Sequence, residues 1–176
     1  MADQTFTAGQ ILTAAQMTTL QSNIGLTFIK SQTIGSGVAS VVVSDAFSAS
    51  FEKYKIVVNG GVGSAGQAIT MVLGAGAAVY DYVFSYLQYT GAPTNSGASS
   101  QTGWSFVGES NTNGNTIDLD ILNPFLAKYT LYFGGYMGSV AGFSAGQLRN
   151  TVSYTAFTLS VAGTMTGGTI SVYGYR

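Results

Sequence analysis

Cysteine and histidine are both absent from this chain of 176 residues. Without cysteine there are no disulfides and no thiolate chemistry, and redox compartment leaves no mark on the sequence. Without histidine the chain lacks the commonest metal ligand and the usual acid–base group near neutral pH. Charge is scarce too: Asp, Glu, Lys and Arg make up 7% of residues, against about a quarter in ordinary soluble domains. A net charge of −1 gives neither the basic footprint of a nucleic-acid binder nor a polybasic membrane patch. No apolar run approaches the ~20 residues of a membrane helix. The opening "MADQTFTAG" has neither the basic start nor the apolar centre of a secretory signal. The expectation is a soluble protein made in a cytoplasm, with no cofactor and neither nucleic acid nor membrane as a partner.

Apolar residues are plentiful, at 46%, so the chain is not disordered, and its length suits one domain or one domain with an arm. With 24 glycines and long runs of Ser, Thr, Asn and Gln, its surface must be polar yet almost uncharged. Such surfaces repel one another weakly, which suits a protein packed into an assembly, although an ordinary secreted β-domain fits the composition as well.

One stretch reads as helix: "FTAGQILTAAQMTTLQSNIG", residues 6–25. Thr13 is a good N-cap and Gln16 completes a T-x-x-Q capping box, while Leu12 before the cap can staple onto Met17. Met17, Leu20 and Ile24 then form one narrow apolar stripe, and Asn23 and Gly25 offer a stop. About ten residues are too few for a helix to persist alone in water. The stripe must be covered, either by the chain's own sheets or by a partner. In the second case residues 1–25 are an anchoring arm whose contacts are Ile11, Leu12, Met17, Leu20 and Ile24.

From Leu26 the hydrophobic period becomes two. Strands are expected at 26–34, 38–44, 52–59, 67–73, 79–90, 103–108, 116–122, 126–133, 151–162 and 168–175. In "NTIDLDIL" the residues Ile117, Leu119 and Ile121 share one face and Asp118 and Asp120 the other; Phe157, Leu159 and Val161 face inward. The clusters "NGGVGSAGQ", "GAPTNSGASSQTG" and "ESNTNGN" read as turns. About ten strands and no second helix imply an all-β antiparallel sandwich, jelly-roll-like, spanning 26–176 as a single domain.

No motif names a reaction. "GVGSAG", Gly61–Gly66, fits the dinucleotide pattern, but "QAITMVLG" follows it as strand where a helix is required. Asp118 and Asp120 are paired carboxylates on the outer side of a strand; Asp81 and Glu109 are candidates for a cleft, though no motif fixes them there. We therefore expect no enzyme. The aromatics carry more information. Tyr80, Tyr82, Phe84 and Tyr86 share a strand face, and with Trp104 they form a candidate glycan platform, or equally a core or an interface. Residues 134–150 read as a long apolar loop. Tyr136, Met137, Val140, Phe143 and Leu148 within it are the expected oligomer contacts, the alternative being a loop tucked over its own sandwich.

The leader "FTAGQILTAAQMTTLQSNIG" resembles the "G-(x)-L-T-A-A-x-(hydrophobic)-N/T" leader at the start of many tailed-bacteriophage virion proteins. The segment "SQTIGSG", with Phe47 and Phe51 in "AFSASF" and Tyr54 in "YKIVV", is similar to a β-rich module of phage tail-fibre and head-decoration proteins, and "GGTISVYGYR" looks like its last strand. The resemblance covers the first 60 residues and the last ten. It implies a non-enzymatic virion structural protein, a homotrimer contacting other virion proteins. It is either a capsid decoration or cement protein bound to the major capsid protein, or a short tail fibre that binds a host glycan.

Overall fold

The computed structural model describes residues 8–11, 13–22, 25–74 and 77–175, and of residues 19–22 only the backbone. It begins with helix α1 (Ala14–Ser22). The capping box forms: the Gln16 amide donates to Thr13 Oγ1 at 3.2 Å, and the Thr13 amide donates to Gln16 Oε1 at 3.0 Å. Met17 and, before the cap, Ile11 are exposed, and the helix is only weakly amphipathic. Leu12 and Ile24, like the side chain of Leu20, lie outside what is described, so the staple and the stripe are too.

The rest is strand: β1 (Leu26–Thr33), β2 (Val38–Val43), β3 (Lys53–Asn59), β4 (Val62–Gly63), β5 (Gln67–Leu73), β6 (Tyr80–Gln88), β7 (Pro93–Gln101), β8 (Trp104–Asn111), β9 (Gly114–Leu122), β10 (Thr130–Met137), β11 (Val140–Leu148), β12 (Phe157–Thr166) and β13 (Thr169–Tyr175). Every described pairing is antiparallel. The larger sheet runs β1-β13-β3-β9-β10-β11-β6-β7. The smaller runs β2-β12-β5-β8-β9, with β4 pairing β12. Strand β9 belongs to both. Its residues Gly114–Thr116 pair with β8, and from Ile117 onward its neighbour is β3.

Both sheets feed one core. Val43, Ile69, Met71, Leu73, Phe157 and Leu159 come from the smaller sheet, and Tyr54, Ile56, Ile117, Leu119, Ile121, Ile170 and Val172 from the larger. The alternation at 117–121 and 157–161 falls as expected, because a period of two places every second side chain on the buried face. Two tyrosines fix the core to its surroundings by the same device. Tyr54 Oη accepts from the Ser48 amide at 2.8 Å and donates to the Ser48 carbonyl at 2.6 Å; Tyr80 Oη treats the two backbone groups of Leu73 alike, at 2.8 and 2.9 Å.

Several boundaries differ from expectation, each for a physical reason. Pro93–Gln101 was expected as turn but is edge strand β7, held by the backbone of β6. Most of its side chains are exposed, so no apolar alternation marks it. The apolar loop at 134–150 does not exist. It is the β10–β11 hairpin, turning at Gly138–Ser139, with side chains alternating between the two faces of the sheet. Strand β10 starts only at Thr130 because the Leu126 amide turns back to the Asn123 carbonyl at 3.1 Å. Likewise β12 starts at Phe157, since the Thr155 carbonyl is used by the amides of Ala46 and Phe47.

Candidate functional site

The outer face of the larger sheet divides into a charged strip and an apolar field. On β3 and β9, Lys53 pairs with Asp120 at 2.6 Å, and Lys55 contacts Asp118 and, at 3.8 Å, Asp120. Tyr175 Oη donates to Asp120 at 2.7 Å, and the Lys53 ammonium lies 4.1 Å from the centre of the Tyr175 ring. Burial pushes the Asp120 carboxyl upward. The hydrogen bonds from Lys53 and Tyr175 and the charges of both lysines outweigh this and hold it below its ordinary value. Burial and the same carboxylate push the Tyr175 hydroxyl up to about 12.

A carboxyl whose pKa is depressed by folding adds stability above its unfolded value near ~4 and loses that stability as pH falls through the folded value. The urea midpoint is therefore expected to drop on acidification below about pH 4. Asp120→Asn should lower the midpoint at neutral pH and flatten that acid limb. An unaltered limb in the variant would remove Asp120 as its source.

Beyond this strip the outward positions of β10, β11 and β6 carry the exposed apolar side chains Leu131, Phe133 (59%), Met137 (67%), Phe143, Val83 and Leu87, with Ser85 opposite Phe143 among them. Register makes them neighbours. Phe133 lies opposite Ala145, which lies opposite Val83, and Met137 lies opposite Ala141, which lies opposite Leu87. The rings of Phe133 and Phe143 stand 6.4 Å apart. On either side of these knobs the outward positions shrink and leave hollows. One, of about 590 Å³, opens at Gly135 among Val57, Asp118, Phe133 and Met137. The other, of about 650 Å³, opens at Gly97 and Ala145 among Asp81, Val83, Leu131 and Gln147. At its rim Asp81 is held by Arg149 at 2.7 Å and accepts from Gln147 Nε2 and the Ser100 amide, each at 2.9 Å.

A smaller crevice of about 330 Å³ opens between the sheets, beside the β10–β11 turn. Its aromatic walls are Tyr86, Phe106 and Tyr136, and at its base is Glu109, which is 5% exposed. A bulge in β8 builds the wall. Met71 pairs with Trp104 and Ile69 with Gly108, so Ser105–Val107 face Thr70 alone. Phe106 sits there at φ +58°, an outlier for a bulky residue. The bulge aims its ring at the inward face of β6, stacked 4.1 Å from Phe84 and 5.8 Å from Tyr86.

The expected site residues divide accordingly. Of the oligomer set, Met137 and Phe143 reach the outer face. Tyr136 and Leu148 are buried within their own chain, and Val140 is half-buried along the crevice. They alternate because the segment is strand. Of the glycan platform, Trp104 and Tyr80 are corrected to core, packed edge to face at 5.2 Å. Tyr82 and Tyr86 remain half-buried in the aromatic row. Of the anchor set, Ile11 and Met17 are exposed. Leu131, Phe133, Val83, Leu87 and Phe106 were not anticipated as site residues, whereas Glu109, a cleft candidate in the sequence, does line the crevice. The alternation of "YTLYFGGYM" marks Leu131, Phe133 and Met137 as one face, whereas nothing in "GWSFVGE" announces the turned-out Phe106.

Compared with known proteins, the chain matches no family model, no curated protein and no solved structure.

Proposed function

We propose that this chain is a non-enzymatic structural protein that acts by packing against copies of itself within a larger particle. The observation that carries this reading is the apolar field on the outer face of the larger sheet. Two exposed phenylalanines stand there between two hollows. Large contiguous apolar patches are uncommon on proteins that remain single, and they mark contact surfaces. Knobs beside hollows suit further copies of the chain, the knobs of one seating in the hollows of the next. Charge does not oppose it: the bordering lysines and aspartates are already paired within the chain, and the net charge is −1.

The particle we propose is a tailed-phage virion. This rests on the resemblance of the leader and of "SQTIGSG" to virion proteins and not on the sheet itself. In that setting a trimeric, jelly-roll-like head with an N-terminal arm is a capsid decoration or cement protein. Apolar burial at each contact, at about 25 cal/mol per Å², repeated over several copies, raises avidity without any single tight site.

The test is sedimentation of the full chain and of Phe133→Asp/Phe143→Asp. Both residues are exposed, so the variant should keep its circular dichroism. The wild-type protein should sediment as an oligomer at micromolar concentration and co-sediment with expanded capsids, while the variant should be monomeric and bind them weakly. A monomeric wild-type chain, or an unaltered oligomer in the variant, overturns the reading.

A further inference from the structure

The geometry points to a ligand site independent of the outer face: the crevice between β6 and β8 takes an alkylated ammonium group between the Glu109 carboxylate and the rings of Tyr86, Phe106 and Tyr136. Charge is the first argument. Glu109 is 5% exposed, and among the described residues no lysine or arginine forms an ion pair with it. Its partners are the Ser139 hydroxyl on Oε1 and the Val140 amide, at 3.3 Å, on Oε2. A carboxylate has about four lone-pair sites, so these two donors leave half of its capacity open. Burying a carboxylate without a counter-charge is costly, and a cation entering the crevice offsets that cost.

The walls are the second argument. Three aromatic side chains around one carboxylate provide the environment in which an alkylated ammonium is held by cation–π attraction as well as by charge. The bulge that turns Phe106 into the crevice holds a bulky residue at positive φ. Strain of this kind persists where surrounding structure enforces it and gathers at ligand sites. The third argument is the Tyr136 hydroxyl. Tyr136 lines the crevice, is 4% exposed, and its oxygen has no hydrogen-bond partner among the described residues. Burial, together with the nearby Tyr86 and Glu109, pushes that hydroxyl up to about 12, so it stays neutral and able to pair with a guest.

The volume, about 330 Å³, lies at the small end of ligand pockets and suits a cationic headgroup better than an extended chain. A bare metal ion would want several oxygens converging, and no group of three acidic side chains lies together among the described residues. A neutral sugar would leave the carboxylate without its counter-charge. The ammonium can come from a free quaternary amine or from the lysine of a partner chain, and the experiment separates these.

The ¹⁵N-labelled full chain is titrated with choline, with N-acetyl-lysine methylamide, and with 3,3-dimethylbutan-1-ol, the uncharged isostere of choline. At least one cation should shift the Ser139 and Val140 amides saturably, with the uncharged isostere much weaker. Glu109→Gln should weaken the cation roughly tenfold or more while the remaining amides hold their positions. Binding of choline alone identifies a free quaternary amine, and binding of the lysine derivative alone identifies a partner's side chain. Silence from both cations, or equal binding of the neutral isostere, overturns the inference, as does unchanged binding in a folded Glu109→Gln. Should that variant fail to fold, the comparison of choline with its isostere on the wild-type chain decides alone.

Discussion

Trp104→Ala is expected to cost about 3–5 kcal/mol, the range for removing a buried tryptophan, and to lower the urea midpoint without changing the cooperativity of unfolding. The indole is fully buried at the first residue of β8. It packs edge to face on Tyr80 at 5.2 Å and against Tyr132 at 4.6 Å, and its Nε1–H donates to the Gln147 carbonyl at 3.1 Å. It therefore ties β8 of the smaller sheet to β6, β10 and β11 of the larger. Alanine removes these contacts together and leaves a cavity that neighbouring strands cannot close, since their positions are fixed by ladders on both sides. Trp104→Phe keeps most of the packing but loses the hydrogen bond to the Gln147 carbonyl, and should cost less than half as much. Equilibrium unfolding monitored by tyrosine fluorescence measures both. A loss below about 1.5 kcal/mol for alanine would show that the indole is not the tie described. Any binding defect in Trp104→Ala would report this destabilisation first, so it cannot identify a ligand surface.

The class of the fold was legible in the sequence because it rests on the period of hydrophobicity. Where one face is buried and the other wet, as at Ile117–Ile121 or Phe157–Val161, alternation announces the strand and its inward side. The local chemistry of the helix start was legible for the same kind of reason: the capping box of Thr13 and Gln16 needs only residues three apart. Legibility failed where pairing and not patterning makes the strand. Pro93–Gln101 is mostly small and polar, and only the backbone of β6 makes it extended. It failed again where both faces of a hairpin carry apolar residues. In 134–148, Tyr136 and Leu148 point inward while Met137 and Phe143 point outward, and the mixture reads as an oily loop. The crevice was illegible altogether. It depends on a bulge that turns Phe106 toward β6 and on Ser139 and Val140 reaching Glu109 from some thirty residues away, relations that no local pattern encodes.

Large steric effects are expected at two glycines flanking β9, the strand shared by both sheets. At Thr116 β9 is still paired with β8, and at Ile117 it has passed to β3. To serve two sheets it must pass close to β8 and β10 at the handover. Both neighbours carry glycine there. A Cβ on Gly108 of β8 would run into Ile117 Cγ1 and lie 2.5 Å from the Thr116 carbonyl oxygen. A Cβ on Gly134 of β10, the register partner of Leu119, would collide with Leu119 Cβ and lie 2.8 Å from the Asp118 carbonyl oxygen. Neither site has positive φ, so the constraint is close approach and not backbone conformation. The opposing atoms include backbone and Cβ, which cannot swing aside as the end of a long side chain can. Overpacking of a core ordinarily costs about 1–3 kcal/mol; Gly108→Ala and Gly134→Ala should each lie at the upper end of that range or beyond it. Gly114→Ala is the control on the same strand, since its nearest neighbour would be the Gly61 carbonyl oxygen at 3.9 Å, and it should leave the urea midpoint nearly unchanged. The double variant should lose less than the sum of the singles, because one displacement of β9 relieves both clashes. Additive losses would mean that the two glycines act on separate parts of the strand, and an effect of Gly114→Ala equal to theirs would mean that β9 tolerates no substitution anywhere. Sub-additive losses with a silent control would identify the handover of β9 as the joint on which the two sheets depend.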